Sequence, residues 1–194
     1  MLLVILFLVL LLGILLGFLL ARRRRPEPSG GPAPRIPDTF SPAALSVAIG
    51  ARLSGPSADG AVLAEAVGNQ VVWVDSGDEV LVHLDSIQAR ILDRLVLISI
   101  ELESDQTGRT PLIVTFALGS ATDPAGLVAI TDEYPRGDGR LAARWGEAVQ
   151  AALWSTLLSL AQEHAAERGK APSGISAMAG ILTLHAGKPI GAPA

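Results

Sequence analysis

Val71-Val72-Trp73-Val74, then Asp75-Ser76-Gly77-Asp78, then Glu79-Val80-Leu81-Val82-His83-Leu84 is the stretch that decides the fold. The first four residues are β-branched or aromatic, and the next four are turn formers. The last six alternate, with Val80, Val82 and Leu84 on one side and Leu81 and His83 on the other. Two such runs around a short polar turn specify a β-hairpin.

Further strands extend this hairpin toward the C-terminus. Leu95–Glu103 puts Val96, Ile98, Ile100 and Leu102 on one face and Ser99, Glu101 and Glu103 on the other. The polar loop 104–109 leads to a returning strand, Leu112–Leu118, and Leu127–Thr131 reads as one more. Short loops between successive strands argue an antiparallel meander of about five strands. Residues 85–94 are ambiguous. Asp85 and Gln88 have capping-box spacing, and Ile87, Ile91 and Leu95 suit a short helix, but a bent continuation of the strand fits as well.

The strongest helix signal outside the N-terminus runs from Leu141 to Glu167. Leu141, Trp145, Ala148, Val149, Ala152, Leu153, Thr156, Leu157 and Leu160 form one stripe, and Gly169 follows the end. Arg136-Gly137-Asp138 reads as a loop entering this helix, with Asp138 at its start. Trp154 and Leu158 fall outside the centre of the stripe. They define a candidate interaction surface, unless the helix is embedded between two layers. After Gly169 the chain is rich in Gly and Pro, with a last strand expected at Ile181–His185.

Upstream of the hairpin, Ser41-Pro42 has the order of an N-cap followed by proline at the first helical position. Leu45, Ile49 and Leu53 repeat behind it. A second short helix is expected from Asp59 through Ala66, closed by Gly68. The fold class is therefore α+β: an antiparallel sheet packed against one long C-terminal helix, spanning 38–186, with a flexible tail at 187–194.

Residues 1–37 belong to a different regime. Leu2–Leu20 is apolar throughout and holds no charged or hydroxylated side chain. At about 1.5 Å per residue it covers roughly 28 Å, near the thickness of a bilayer core. The segment 1–21 is expected to be a single transmembrane anchor. Arg22, Arg23, Arg24 and Arg25 follow at once, and no Lys or Arg precedes the run. This asymmetry places the N-terminus outside and the remainder in the cytoplasm, with the arginines as a stop-transfer block at the cell membrane. A cleaved signal peptide would need a basic n-region and a shorter apolar stretch. Gly13 and Gly17 have the spacing that lets two membrane helices approach, so a homodimer is one alternative. Residues 22–37 combine the basic block with a Pro/Gly linker of up to roughly 40 Å in polyproline-like form.

Composition narrows the chemistry. There is no cysteine, so disulfides, thiolate metal sites and catalytic thiols are excluded. Setting aside the arginine block leaves 11 Lys and Arg against 19 Asp and Glu, a net charge of −8. Such a surface repels nucleic acid phosphates. No phosphate-binding loop, dinucleotide fingerprint or Gly-x-Ser-x-Gly elbow is present. His83, His164 and His185 lack metal-ligand spacing. No cofactor is expected.

Two functional classes follow. The first is a membrane-anchored protein-interaction or assembly module with a protein partner. The second is a membrane-anchored enzyme or small-ligand binder whose site forms only in the fold, with candidates Asp132, Glu133, His83 and Arg109.

Overall fold

Strand pairing in chain order organises the molecule. The computed structural model describes residues 35–53, 63–119, 126–127, 129–130 and 134–189. In chain order the elements are β1 (Thr39–Phe40), α1 (Pro42–Gly50), β2 (Leu63–Val67), β3 (Gln70–Asp75), β4 (Asp78–Leu92), β5 (Leu95–Ser104), β6 (Gly108–Leu118), β7 (Ala129–Ile130), α2 (Gly139–Ala166), β8 (Lys170–Met178) and β9 (Ile181–Pro189). β2 to β7 form an antiparallel meander in which each strand pairs with the next, β7 adding only two residues. A second sheet has the order β1-β9-β8. The anchor run 2–20 and Arg22 to Arg25 lie outside the described residues. Among the described residues, no helix is long and apolar enough to cross a membrane.

The alternation read in the sequence is the alternation of burial. Val71 and Trp73 of β3, Val80 and Val82 of β4, Val96 to Leu102 of β5, and Leu112 to Leu118 of β6 are buried at every second position. The ambiguous segment 85–94 continues β4 as a strand as far as Leu92. Its register against β5 breaks between His83 and Gln88. The break shifts the buried set from Val80 and Val82 to Ile87 and Ile91. Ser86 repairs the gap: its Oγ accepts from Glu101 N at 2.8 Å and donates to the His83 carbonyl at 2.6 Å. The helical reading of this segment fails for a simple reason. A four-residue repeat lies on one face of a helix and equally on one face of a strand.

The second short helix expected from Asp59 to Ala66 is also corrected. Residues 63–67 are β2, antiparallel to β3, while 59–62 lie outside the described residues. Gly68, with φ 62°, opens a two-residue turn that returns the chain into β3. Sheet pairing overrides the helical preference of an alanine-rich segment.

α1 forms as expected. Ser41 Oγ accepts from Ala44 N at 3.3 Å, and Pro42 follows the cap. Leu45 and Ile49 bury its inner face, while Ser46 Oγ accepts from Ala89 N of β4 at 2.8 Å.

α2 starts at an Asp138 cap whose carboxylate accepts from Arg140 N and Leu141 N. Gly137 just before it lies against β6, where Arg136 and Ile113 exchange backbone hydrogen bonds of 2.7 and 2.8 Å. A Cβ at Gly137 would fall 2.8 Å from the Pro111 carbonyl oxygen and 2.9 Å from Leu112 Cδ1. Gly137→Ala should therefore destabilise the domain by about 1 to 3 kcal/mol, the usual range for overpacking. A thermal melt unchanged by the substitution would contradict this reading of the junction.

Beyond α2 the sequence concealed a strand. β8 and β9 form a hairpin through Ala179 and Gly180, at φ 51° and 77°, where positive values at both turn positions match the right-handed twist of the strands. Pro172 and Gly174 hid β8, and its register shifts occur at those residues. β9 runs to Pro189, so the tail expected from 187 is corrected: 187–189 belong to the strand, and 190–194 lie outside the described residues.

Residues just before Asp38 pack on the domain as well. The folded unit starts at Arg35. Ile36 is buried, and its N–H donates to Glu167 Oε2 at 2.9 Å. Asp38 accepts from His164 Nε2 at 2.9 Å and from Arg168. The His164 hydrogen bond, then the Arg168 charge, hold the Asp38 carboxyl below its ordinary value. A carboxyl depressed in the folded state stabilises above its unfolded pKa and loses that contribution as pH falls through the folded one. Amide exchange across 36–40 should thus accelerate, relative to the β5 core, when pH drops below about 4. Equal protection at pH 3 and pH 6, after correction for intrinsic rates, would remove Asp38 from this attachment.

Candidate functional site

The solvent-facing side of the central sheet gathers two of the residues expected to form a ligand site. His83 is 3% exposed despite facing outward. Its Nδ1 lies 3.2 Å from Gln70 Nε2 and its Nε2 2.8 Å from Glu103 Oε2. Both ring nitrogens of His83 thus have hydrogen-bond partners. One row along, Arg109 pairs with Glu101. His83 and Glu101 are direct cross-strand partners, so His83 and Arg109 do share a face. Each is tied to a carboxylate beside it, as cross-strand charge pairs usually are. Asp132 and Glu133 lie outside the described residues. Among the described residues, no cluster of three or more His, Asp or Glu side chains could hold a metal ion.

Two open clefts flank the sheet. The first, of about 850 Å³, lies where β4 and β5 part company: their pairing begins at Leu81 and Glu103, although β4 starts at Asp78 and β5 ends at Ser104. The first turns of α2 close one side of it. Asp78, Glu79, Glu103 and Asp105 face Arg140 and Arg144 there. Arg144 is already engaged. It donates to Asp78 Oδ2 at 2.7 Å, to Asp75 Oδ2 at 2.8 Å and to the Asp75 carbonyl at 2.7 Å. Its hydrogen bond, followed by that of Ser76, lowers the Asp75 carboxyl below its ordinary value. Arg144 thus pins the β3–β4 turn onto α2, and its guanidinium also covers the Trp145 ring at 4.7 Å.

The second cleft, of about 790 Å³, separates α1 from the sheet edge. Val47, Gly50 and Leu53 line one wall and Ala64, Ala66 and Val71 the other, with Arg52 and Asp85 also reaching the cleft. β2 forms the rim. All five of its residues are exposed, Leu63 at 75% and Val67 at 57%. Sequence reasoning missed this edge because it assigned the segment to a helix.

Trp154 and Leu158, the expected interaction surface, are both half-buried. The Trp154 ring packs on Phe116 of β6, centroids 5.6 Å apart and planes tilted by 33°. Trp154 therefore serves the core in part. α2 contacts β6 of the large sheet and both β8 and β9 of the small one.

The fold also joins two residues that no motif linked. Ser176 Oγ and His185 Nε2 lie 2.7 Å apart across the β8–β9 hairpin. A neighbouring imidazole is how a serine hydroxyl is activated. This pair, however, lines neither cleft. No protein family, curated protein or solved structure matches the chain.

Proposed function

We propose that this chain is a single-pass membrane protein whose α+β domain works on the cytoplasmic side as a protein-interaction or assembly module. The anchor and its orientation rest on the apolar run 2–20 and on the arginines that follow it. The interaction role rests on one observation. Among the described residues, β2 is an outer strand with no further strand beside it, and it exposes Leu63 and Val67 with Glu65 as its one charge and no lysine, proline or bulge.

The anchor predicts that a C-terminal alkaline phosphatase fusion is inactive while a fluorescent-protein fusion is bright; active phosphatase would reverse the orientation. The edge predicts that a photo-crosslinking amino acid at Leu63, in the full chain in its native membrane, yields a discrete adduct. The same probe at the exposed Ala151 of α2 should not. Equal labelling from both positions would sink the module reading. The runner-up, a small-ligand binder, is favoured by the charged cleft between β4, β5 and α2, and would be supported by a ligand that protects Arg140 from modification.

A further inference from the structure

We infer that β2 receives an extended peptide segment with a basic residue at its centre and apolar residues on both sides. This deepens the interaction reading above and rests on it. The hydrogen-bond phase comes first. A two-residue turn makes Val67 and Gln70 a hydrogen-bonded pair, and their register carries that phase to Glu65 with Val72 and Leu63 with Val74. Leu63, Glu65 and Val67 thus spend their backbone groups on β3. Ala64 and Ala66 turn their N–H and C=O groups outward, where only another extended chain can pair with them in regular order.

Side chains then define the guest. Leu63, Glu65 and Val67 share one face of β2, and Ala64 and Ala66 share the other. On the first face an antiparallel guest meets Val67, Glu65 and Leu63 in turn. The single charge of the strand sits between two exposed apolar residues, so the matching guest carries apolar, basic and apolar residues at alternate positions. On the second face the alanines are too small to fill the space toward α1. The intervening guest side chains enter the groove, where Val47, Leu53, Val71 and Ile87 present apolar surface beside Arg52 and Asp85, and apolar side chains match most of that lining. The guest reads apolar-apolar-basic-apolar-apolar.

A second copy of this chain fits less well. The in-register two-fold pairing of β2 with itself sets Glu65 directly opposite its own counterpart, and like charges in that position are destabilising.

The test uses the full chain in nanodiscs of zwitterionic lipid and a labelled peptide, Thr-Val-Leu-Lys-Leu-Val-Thr, against the same peptide with Glu for Lys. Fluorescence anisotropy should favour the Lys peptide by about tenfold, with slowed amide exchange at Ala64 and Ala66. Glu65→Lys should invert that preference. Ala64→Pro should abolish binding of both peptides while the protein still melts cooperatively, because the lost N–H faces outward and the β2–β3 ladder is untouched.

The outcomes separate the two ideas. If Ala64→Pro removes the Leu63 crosslink but Glu65→Lys leaves the peptide preference unchanged, the edge docks a strand of other chemistry and only this inference fails. If Ala64→Pro changes neither crosslink nor binding, the edge is unused and the module reading falls with it. A crosslinked product of twice the chain mass overturns the basic guest in favour of self-pairing.

Discussion

Trp73→Ala is expected to cost about 3 to 5 kcal/mol, the range for deleting a buried indole. Trp73 has no exposed surface and heads the fully buried side chains by volume. It sits on β3 between Ala64 of β2 and Val80 of β4, so its removal opens a cavity where two strand pairs meet. Neighbouring Val71, Val80 and Val82 are β-branched and stiff at χ1, and they close such a void poorly. For a domain this size the loss corresponds to a fall in melting temperature of about 6 to 20 °C. Trp73→Phe should recover much of it. A melt for Trp73→Ala within a degree of the parent would show that the β3 core repacks freely.

The elements legible in the sequence are those whose signal is local. The β3–β4 turn needed only Ser76 and Gly77, both at positive φ, and alternation fixed the faces of β5 and β6. The start of α2 was written in the Asp138 cap. Elements that depend on distant partners were not legible. β2 is a strand because β3 lies beside it; nothing in Leu-Ala-Glu-Ala-Val forbids a helix. β8 carries Pro172 and Gly174, which local rules count against a strand, yet two register shifts accommodate them against β9. The attachment of Ile36 to Glu167 spans 131 residues and has no sequence signature.

The candidate sites divide in the same way. His83 and Arg109 could be named from residue type, but not the carboxylates that occupy them, since Glu101 and Glu103 arrive from β5 only through register. The open edge of β2 could not be named at all while its segment was assigned to a helix. A site made of backbone groups on an outer strand leaves no residue motif; it becomes visible once the pairing phase is known.

The long helix gives the second large effect. Trp145→Ala and Leu153→Ala should each cost about 2 to 5 kcal/mol, since both side chains are buried. Trp154→Ala should cost less, about 1 to 3 kcal/mol, because that residue is only partly buried at the edge of the core, where its ring packs on Phe116. Helical geometry explains the ranking. Taking Leu153 as the centre at 100° per residue, Gly146, Leu157, Leu160 and His164 lie within about 40° of it, Trp145 near −80° and Trp154 near +100°. The two indoles are indeed about half a turn apart, but each flanks one stripe, and neither points straight out. A stripe this wide needs cover from both sheets, and α2 meets β6 on one and β8 and β9 on the other. The indoles also lie about 13 Å apart along the axis, beyond the range at which substitutions usually couple. Trp145→Ala and Trp154→Ala together should therefore add to within about 0.5 kcal/mol. If Trp154→Ala left the melting temperature unchanged and weakened self-association instead, the half-buried ring would be a contact for a partner, and α2 rather than β2 would be the surface to pursue.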